Sequence, residues 1–89
     1  TIFLRNKFLG EWASSILGLN AVQRKKYITK VTQIDLENKS SKNIIKKIEK
    51  DFIKEKINIS FKEIEFKVHD FYLEANVIIE NKFKVNNWR

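Results

Sequence analysis

An apolar stripe near the start of the chain constrains the fold more than any other sequence feature. Within residues 5–19, large apolar residues recur at spacings of three and four and end just before Gly18. This spacing puts them on a single helix face, and glycine suits the left-handed conformation that commonly ends a helix. The rest of the chain must therefore supply the helices that cover this face. The stripe consists of Leu9, Trp12, Ala13, Ile16 and Leu17.

Two residues inside this first helix carry expectations of their own. Gly10 costs about 0.5–1 kcal/mol relative to alanine in a helix interior, so we expect another backbone to approach it closely. Trp12 is expected to be a core anchor, and the alternative is an exposed aromatic that binds a partner. The helix should span about residues 2–17 and continue one that starts upstream, because no capping residue sets its beginning.

Capping signals indicate where the second and third helices begin. Asn20, with Gln23 three residues later, has the pattern of a capping box. Either Ser40 or Ser41 can cap the third helix. The two helices have one-sided apolar faces, formed by Tyr27, Ile28, Val31 and Ile34 in the second and by Ile44, Ile45, Ile48 and Phe52 in the third.

The fourth helix has the clearest start signal, since Ser60 and Glu63 form a second capping box. In the segment before this helix, Ile57 and Ile59 are expected to pack into the core from an extended linker. A short edge strand is the alternative. The apolar stripe of this helix covers at least five turns and consists of Phe61, Ile64, Val68, Phe71, Tyr72, Ala75, Ile78 and Ile79. Three apolar residues lie outside that stripe, and lateral packing is favoured for them over a partner contact; they are Phe66, Val77 and Phe83.

Together these patterns predict an all-α fold, a compact four-helix bundle with a long C-terminal helix. The 89 residues include no proline and two glycines, which favours long helices over a turn-rich β protein. We expect a single four-helix domain over residues 1–81 and a tail over 82–89. The predicted core consists of Leu9, Trp12, Ile16, Ile48, Phe52, Val68, Phe71 and Tyr72.

Composition excludes several classes of protein. The chain has no cysteine, so neither a disulfide framework nor a thiolate metal site is available. No apolar run approaches the length of about 20 residues that crosses a bilayer. The sequence begins at Thr1 and contains no methionine, which indicates that upstream residues were removed or left out; a cleaved organellar targeting segment is one possibility.

The net charge of +7 raises the question of nucleic-acid or membrane binding. Residues 1–38 carry 6 basic and 3 acidic residues, and residues 39–89 carry 12 and 8. The excess is thus spread along the chain and is expected to form a solvated lysine-rich surface. Arg24, Lys25 and Lys26 form the densest cluster, but three basic residues are a weak signal for phosphate. Nucleic acid is therefore the least favoured partner.

Residues that could support catalysis are few. The one histidine, His69, has Glu65 one turn before it, which indicates a surface pair rather than a metal or catalytic site. Ser14 and Ser15 have no second histidine for a triad, and no glycine-rich phosphate loop occurs. We expect no enzyme activity, no cofactor and no small-molecule substrate, and a function that depends on binding proteins.

The first helix contains Arg5, Asn6 and Lys7, followed by Leu9, Gly10, Trp12 and Ala13. With these residues it resembles the signature segment of the zeta subunit, the inhibitor of the alphaproteobacterial F-type ATP synthase. That pattern reads RNK, two apolar residues, G, any residue, WA, and later LLGL. A weaker resemblance continues through Tyr27, Val31, Asp35 and Glu37, over residues 44–52 and 57–60, and extends to Ile79. The matching signature residues are Arg5, Asn6, Lys7, Leu9, Gly10, Trp12, Ala13, Leu17 and Gly18.

The resemblance implies a four-helix bundle whose N-terminal segment enters the interface between alpha and beta subunits and blocks ATP hydrolysis. That segment lies upstream of RNK, where this sequence has only Thr1 to Leu4. We therefore expect a zeta-like regulatory or accessory subunit that lacks the inhibitory segment. The implied location is the matrix side of the mitochondrial inner membrane or the alphaproteobacterial cytoplasm.

A structural subunit of a large mitochondrial respiratory membrane complex, reusing the same bundle, is the alternative. In either case the partners are protein subunits of a large complex, with the ATP synthase alpha and beta subunits as first choice. The residues expected to bind the partner are Arg5, Lys7, Phe66, Phe83 and Trp88.

Overall fold

The described residues of the chain form four α-helices. The computed structural model describes residues 1–36 and 41–86, with side chains as far as residue 82. No strand occurs in those residues, so the predicted all-α four-helix bundle with a long C-terminal helix is confirmed. The last helix passes unbroken through residue 82, and the division into a domain and a tail stays a prediction. The helices are α1 (Ile2–Ile16), α2 (Ala21–Thr32), α3 (Lys42–Lys54) and α4 (Phe61–Asn86).

The end of α1 forms at Gly18, as predicted. Gly18 has a φ of 69°, in the region that glycine adopts without a Cβ penalty. Its amide donates to the carbonyl of Ser15, and the amide of Leu19 donates to the carbonyl of Ser14, both at 3.2 Å. These two bonds form the Schellman motif that closes many helices. The chain then turns into α2 within a few residues.

Both predicted capping boxes are present. The amide of Gln23 donates to Oδ1 of Asn20 at 2.9 Å, and the amide of Asn20 donates to Oε1 of Gln23 at 3.2 Å. At α4, the amide of Glu63 donates to Oγ of Ser60 at 3.2 Å, and the Ser60 amide donates to Oε1 of Glu63 at 3.5 Å. Each box gives partners to N–H groups that a helix start leaves unpaired. Local sequence therefore sets the starts of α2 and α4.

The start of α3 is capped from nine residues away, and the serine prediction is wrong for Ser41. Ser41 occupies the N-cap position, but its side chain makes no capping bond; Ser40 lies outside the described residues. Instead, Asp35 Oδ2 accepts from the amide of Ile44 at 3.2 Å, and Oδ1 accepts from Asn43 Nδ2 at 3.0 Å. The carboxylate also brings negative charge to a helix N-terminus, where it is stabilising.

The linker between α3 and α4 completes the core, as predicted. Ile57 and Ile59 are partly buried against it, and residues 57–60 have no regular secondary structure, so the strand alternative is wrong. Lys56 has a φ of 58°, and the amide of Ile57 donates to the carbonyl of Phe52 at 2.8 Å. This turn directs Ile57 back toward the last turn of α3, as in a Schellman motif.

All four helices contribute to one hydrophobic core, and α3 supplies the largest share. Phe52 is fully buried, and the ring of Trp12 meets it edge-on at a centroid distance of 5.6 Å. Trp12 is itself only partly buried, as are Ile16 and Phe71, so these three side chains form the border of the core. The fully or nearly buried members are Leu9, Ala13, Val31, Ile44, Ile45, Ile48, Phe52, Ile64 and Val68.

One predicted core residue lies on the surface. Tyr72 is 38% exposed, and its inclusion in the core is wrong. At about 100° per residue, Tyr72 lies about 60° around α4 from the buried Ala75. Its ring therefore falls at the edge of the buried face, where the hydroxyl can reach water.

Gly10 permits the close packing of α1 on α2, as predicted. A Cβ at Gly10 would lie 3.1 Å from the Cα of Ile28. That separation is below ordinary van der Waals contact between carbon atoms. The absence of a side chain thus lets the two backbones approach, which offsets the propensity cost of glycine within a helix.

Helix α4 runs antiparallel to α1. Phe8 and Phe71 pack with ring centroids 5.9 Å apart. Nearer the start of α1, Thr1 Oγ1 donates to Asn76 Oδ1 at 3.2 Å. Nearer its end, Lys67 Nζ lies 5.9 Å from the centroid of the Trp12 ring. Residues 77–86 of α4 consequently extend beyond the start of α1.

Candidate partner-binding surfaces

The first two residues of the RNK segment form a buried polar pair. Arg5 is 3% exposed and Asn6 is fully buried. Arg5 Nη2 and Nε donate to Asn6 Oδ1 at 2.8 and 3.1 Å, and Asn6 Nδ2 donates to the carbonyl of Ile34 at 2.7 Å. The pair thereby ties α1 to the turn that follows α2. Among the described residues, no buried side-chain nitrogen or oxygen is without a partner.

The charge of Arg5 is held inside the fold. Burial lowers the pKa of Arg5 below its ordinary value, while Coulombic interactions with Asp35 and Tyr72 raise it. An arginine still keeps its proton under these conditions. Asp35 therefore has two functions in the fold, since it stabilises a buried cation and caps α3. The predicted partner contact of Arg5 stays a prediction; in the folded chain its guanidinium faces Asn6.

Two of the other residues expected to bind a partner lie on different helices. Lys7 is exposed on α1, and Phe66 is 68% exposed on α4. No hydrogen bond, ion pair or ring contact joins Lys7 to Phe66 within the described part of the chain. Phe83 and Trp88 lie outside the residues whose side chains are described. Their roles stay predictions.

Phe66 belongs to an exposed stripe on the face of α4 opposite the core. Phe66, Leu73 and Val77 are 68%, 49% and 54% exposed, so lateral packing, which the sequence favoured for Phe66 and Val77, is wrong. Three acidic residues share this face, because the apolar and acidic positions together alternate spacings of three and four. We call this set the α4 outer stripe; it consists of Glu63, Phe66, Asp70, Leu73, Val77 and Glu80.

Sequence reasoning overlooked Leu73 as a surface residue. Its position was recoverable, because Phe66, Leu73 and Val77 are separated by seven and four residues and so share one face. The buried stripe of α4 contains more apolar residues and gives a stronger periodic signal than this second stripe. A large apolar residue on the outer face of a helix is informative only when it has neighbours of the same kind.

A polar cluster joins α2 to α3. Tyr27 Oη donates to Asp51 Oδ2 at 2.9 Å, and Lys47 Nζ lies 3.0 Å from the same oxygen. The Lys47 ammonium also lies 5.6 Å from the centroid of the Tyr27 ring. Burial raises the pKa of Tyr27 above its ordinary value, and the hydrogen bond and charge of Asp51 raise it further. The folded state therefore disfavours the phenolate.

Stability is expected to fall at high pH through Tyr27. Because the folded-state pKa is raised, its stabilisation is fully present below the unfolded pKa of about 10 and is lost as pH rises toward the folded value. Tyr27→Phe should lower the free energy of unfolding by about 1 kcal/mol at neutral pH. Above pH about 10 this difference from wild type should shrink.

Urea unfolding of both proteins, at neutral pH and at about pH 11, measures that difference. The other ionisable groups are common to both proteins, so their contributions to the pH dependence largely cancel. An equal difference at the two pH values would contradict the effect assigned to Tyr27.

His69 and Glu65 line the same small cleft near the start of α1. His69 and Glu65 are both exposed, and no ion pair joins them, so the expected surface pair is not formed. The described residues contain no group of three or more histidine, cysteine or acidic side chains that could hold a metal ion. Within the same residues, no helix combines the length and apolar character that spanning a membrane requires.

Comparison with known proteins gives one result. The family model for ATPase inhibitor subunit zeta matches residues 2–77, from the start of α1 to beyond the middle of α4. No curated protein and no solved structure matches significantly. The name describes a regulatory role rather than a catalytic one, and the match confirms the resemblance found at RNK. The chain belongs to the ATPase inhibitor subunit zeta family.

Proposed function

We propose that this chain is a regulatory subunit of the F-type ATP synthase that binds the catalytic alpha/beta head and restrains ATP hydrolysis. The family match over residues 2–77 carries the proposal. The chain acts by protein contact, without a cofactor of its own. Its location is then the matrix side of the mitochondrial inner membrane or the alphaproteobacterial cytoplasm.

The α4 outer stripe supports a contact with a large partner. Phe66 is the most exposed large hydrophobic side chain described, and covering such a side chain contributes about 1.5–3 kcal/mol. Aromatic residues within small apolar patches are common energetic centres of interfaces. The acidic residues beside Phe66 form a polar rim that selects a basic surface on the partner.

The orientation of α1 suits a bundle that holds an inhibitory segment in place. Thr1 lies beside Asn76, with Oγ1 3.2 Å from Oδ1. Any native residues that precede Thr1 would leave the bundle at this end, and on the proposal the bundle would hold them against the catalytic interface. Blocking that interface stops the conformational cycle that hydrolysis requires.

The proposal is tested on purified F-type ATPase from the organism that encodes the chain. ATP hydrolysis is measured against increasing concentrations of the chain, including any native residues that precede Thr1. Inhibition should saturate, and Phe66→Asp should raise the half-inhibitory concentration by about tenfold or more. Ile53→Asp is the matched control, since Ile53 is 66% exposed but lies on α3. It should inhibit like wild type.

Hydrolysis that stays unchanged at saturating wild-type chain would overturn the proposal. An equal loss of inhibition by Phe66→Asp and Ile53→Asp would contradict a specific role of the α4 outer stripe in binding. Stable co-migration with a different membrane complex, instead of the ATP synthase, would favour the alternative of a structural accessory subunit.

A further inference from the structure

The positive charge of the chain is concentrated on two adjacent helices. α2 has four basic and no acidic residues, and α3 has five basic and two acidic residues. Their charges of +4 and +3 equal the net charge of +7 for all 89 residues, so the remaining segments cancel one another. The prediction of an evenly spread excess is therefore wrong. Counting charges over residues 1–38 and 39–89 hides this concentration, because α2 lies in the first part and α3 in the second.

A groove of about 1010 Å³ runs along α2 and reaches α3. Its apolar lining includes Leu19 and Val22, and Val22 is 66% exposed. Its basic lining includes Lys25, Lys26 and Lys30. The volume is at the upper limit of ordinary small-molecule pockets, which is about 1,000 Å³, so a segment of polypeptide suits it better than a metabolite.

Among the described residues, no acidic side chain pairs with Lys25, Lys26 or Lys30, the three lysines of α2 that border this groove. Within the described lining, the acidic residue is Asp51, whose carboxylate already binds Tyr27 and the fourth lysine of the groove, Lys47. No ion pair to Lys25 or Lys26 occurs within residues 1–36 and 41–82. Arg24, next to them in sequence, instead lines a separate cleft near Trp12. An acidic ligand would thus meet positive charge without displacing an internal partner.

We infer that this α2–α3 groove docks an amphipathic helix of a protein partner, whose apolar face is bordered by acidic residues. Helix-in-groove binding needs apolar contacts along a groove, and Leu19 and Val22 supply them. The lysine border gives the matching charge, which sets the choice of partner and its orientation. The inference goes beyond inhibition of hydrolysis and does not depend on it.

Two other anionic ligands fit these residues less well. Single-stranded nucleic acid is commonly bound by stacking bases on free aromatic faces, whereas the lining aromatic, Tyr27, is half-buried and bonded to Asp51. Bidentate phosphate recognition favours arginine, and the basic residues of this groove are lysines.

The test is an NMR titration of the ¹⁵N-labelled chain with a synthetic amphipathic peptide of about 16 residues, long enough to form a helix when bound. Its apolar face is leucine and its other positions are glutamate; a control peptide has lysine in place of each glutamate. Saturable shifts should appear at residues 19–30 and at Lys47. Affinity should weaken by about tenfold or more between roughly 50 and 300 mM salt, and the control peptide should not bind.

Two charge-matched double variants test the position of the site. Lys25→Glu with Lys26→Glu should weaken binding by about tenfold or more. Lys62→Glu with Lys82→Glu makes the same change in net charge at exposed positions on α4 and should weaken it by less than about threefold. Equal weakening by both pairs, or shifts scattered over α1 and α4, would overturn the inference.

Absence of peptide binding would overturn it as well. So would tighter binding to vesicles rich in phosphatidylglycerol, or to a single-stranded oligonucleotide, than to the acidic peptide. None of these measurements involves ATP hydrolysis. A negative result for peptide binding is therefore distinguishable from a negative result for the proposed inhibition.

Discussion

Phe52→Ala is expected to lower the free energy of unfolding by about 3–5 kcal/mol. The side chain is fully buried on α3, and its ring receives the edge of Trp12 at 5.6 Å. The backbone carbonyl of Phe52 also accepts from Ile57, so the truncation removes contacts beside the turn that leads to α4. A core of this size supplies only a few kcal/mol of net stability. Most of the protein should therefore be unfolded at room temperature.

Urea unfolding followed by far-ultraviolet circular dichroism measures this effect. Ile53→Ala is the control, because the neighbouring Ile53 is 66% exposed and should cost less than about 1 kcal/mol. A cooperative transition of Phe52→Ala within about 1 kcal/mol of wild type would show that α3 is not packed as described.

Asn6→Ala is expected to cost about 2–4 kcal/mol. Asn6 Oδ1 accepts two bonds from the guanidinium of Arg5, and its Nδ2 donates to the carbonyl of Ile34 at 2.7 Å. Alanine would leave a buried cation and a partly buried carbonyl without these hydrogen-bond partners, and uncompensated burial of charge is more costly than loss of a neutral bond. The same urea measurement applies.

A double-mutant cycle with Arg5→Met separates this cost from simple loss of packing. Methionine removes the charge and keeps an apolar stem, so Asn6→Ala should cost less by about 1 kcal/mol or more in that background. Strictly additive effects of the two substitutions would contradict the coupling. They would indicate that Asn6 acts only through Ile34.

The burial of Arg5 and Asn6 changes how the family signature is interpreted. Charged residues in a recognisable motif invite a functional interpretation, and the sequence assigned Arg5 to partner binding. In the fold, Arg5 and Asn6 connect α1 to the segment after α2, close to Asp35. The first two residues of the motif therefore have a structural reason to occur together, whatever α1 contacts outside the bundle.

Features that depend on near neighbours in the chain were predictable from the sequence. The capping boxes at Asn20 and Ser60, the left-handed Gly18 and the apolar stripes all follow from spacings of a few residues. Gly10 was interpretable for a similar reason, since a glycine inside an otherwise good helix indicates a close approach. These local signals were enough to predict four helices, and the predicted core contains four of the nine buried core residues, Leu9, Ile48, Phe52 and Val68.

Features that depend on how helices meet required the tertiary structure. The Asp35 cap on α3 spans nine residues, and the buried cation at Arg5 needs α1 beside the turn after α2. Whether Tyr72 or Phe66 faces water depends on which side of α4 the other helices cover, because one helix offers more apolar surface than a single contact buries. The hydrogen bond between Tyr27 on α2 and Asp51 on α3 likewise follows from the fold and not from the spacing within either helix. Local pattern specified the elements, and the burial and polar contacts that decide function arose from their packing.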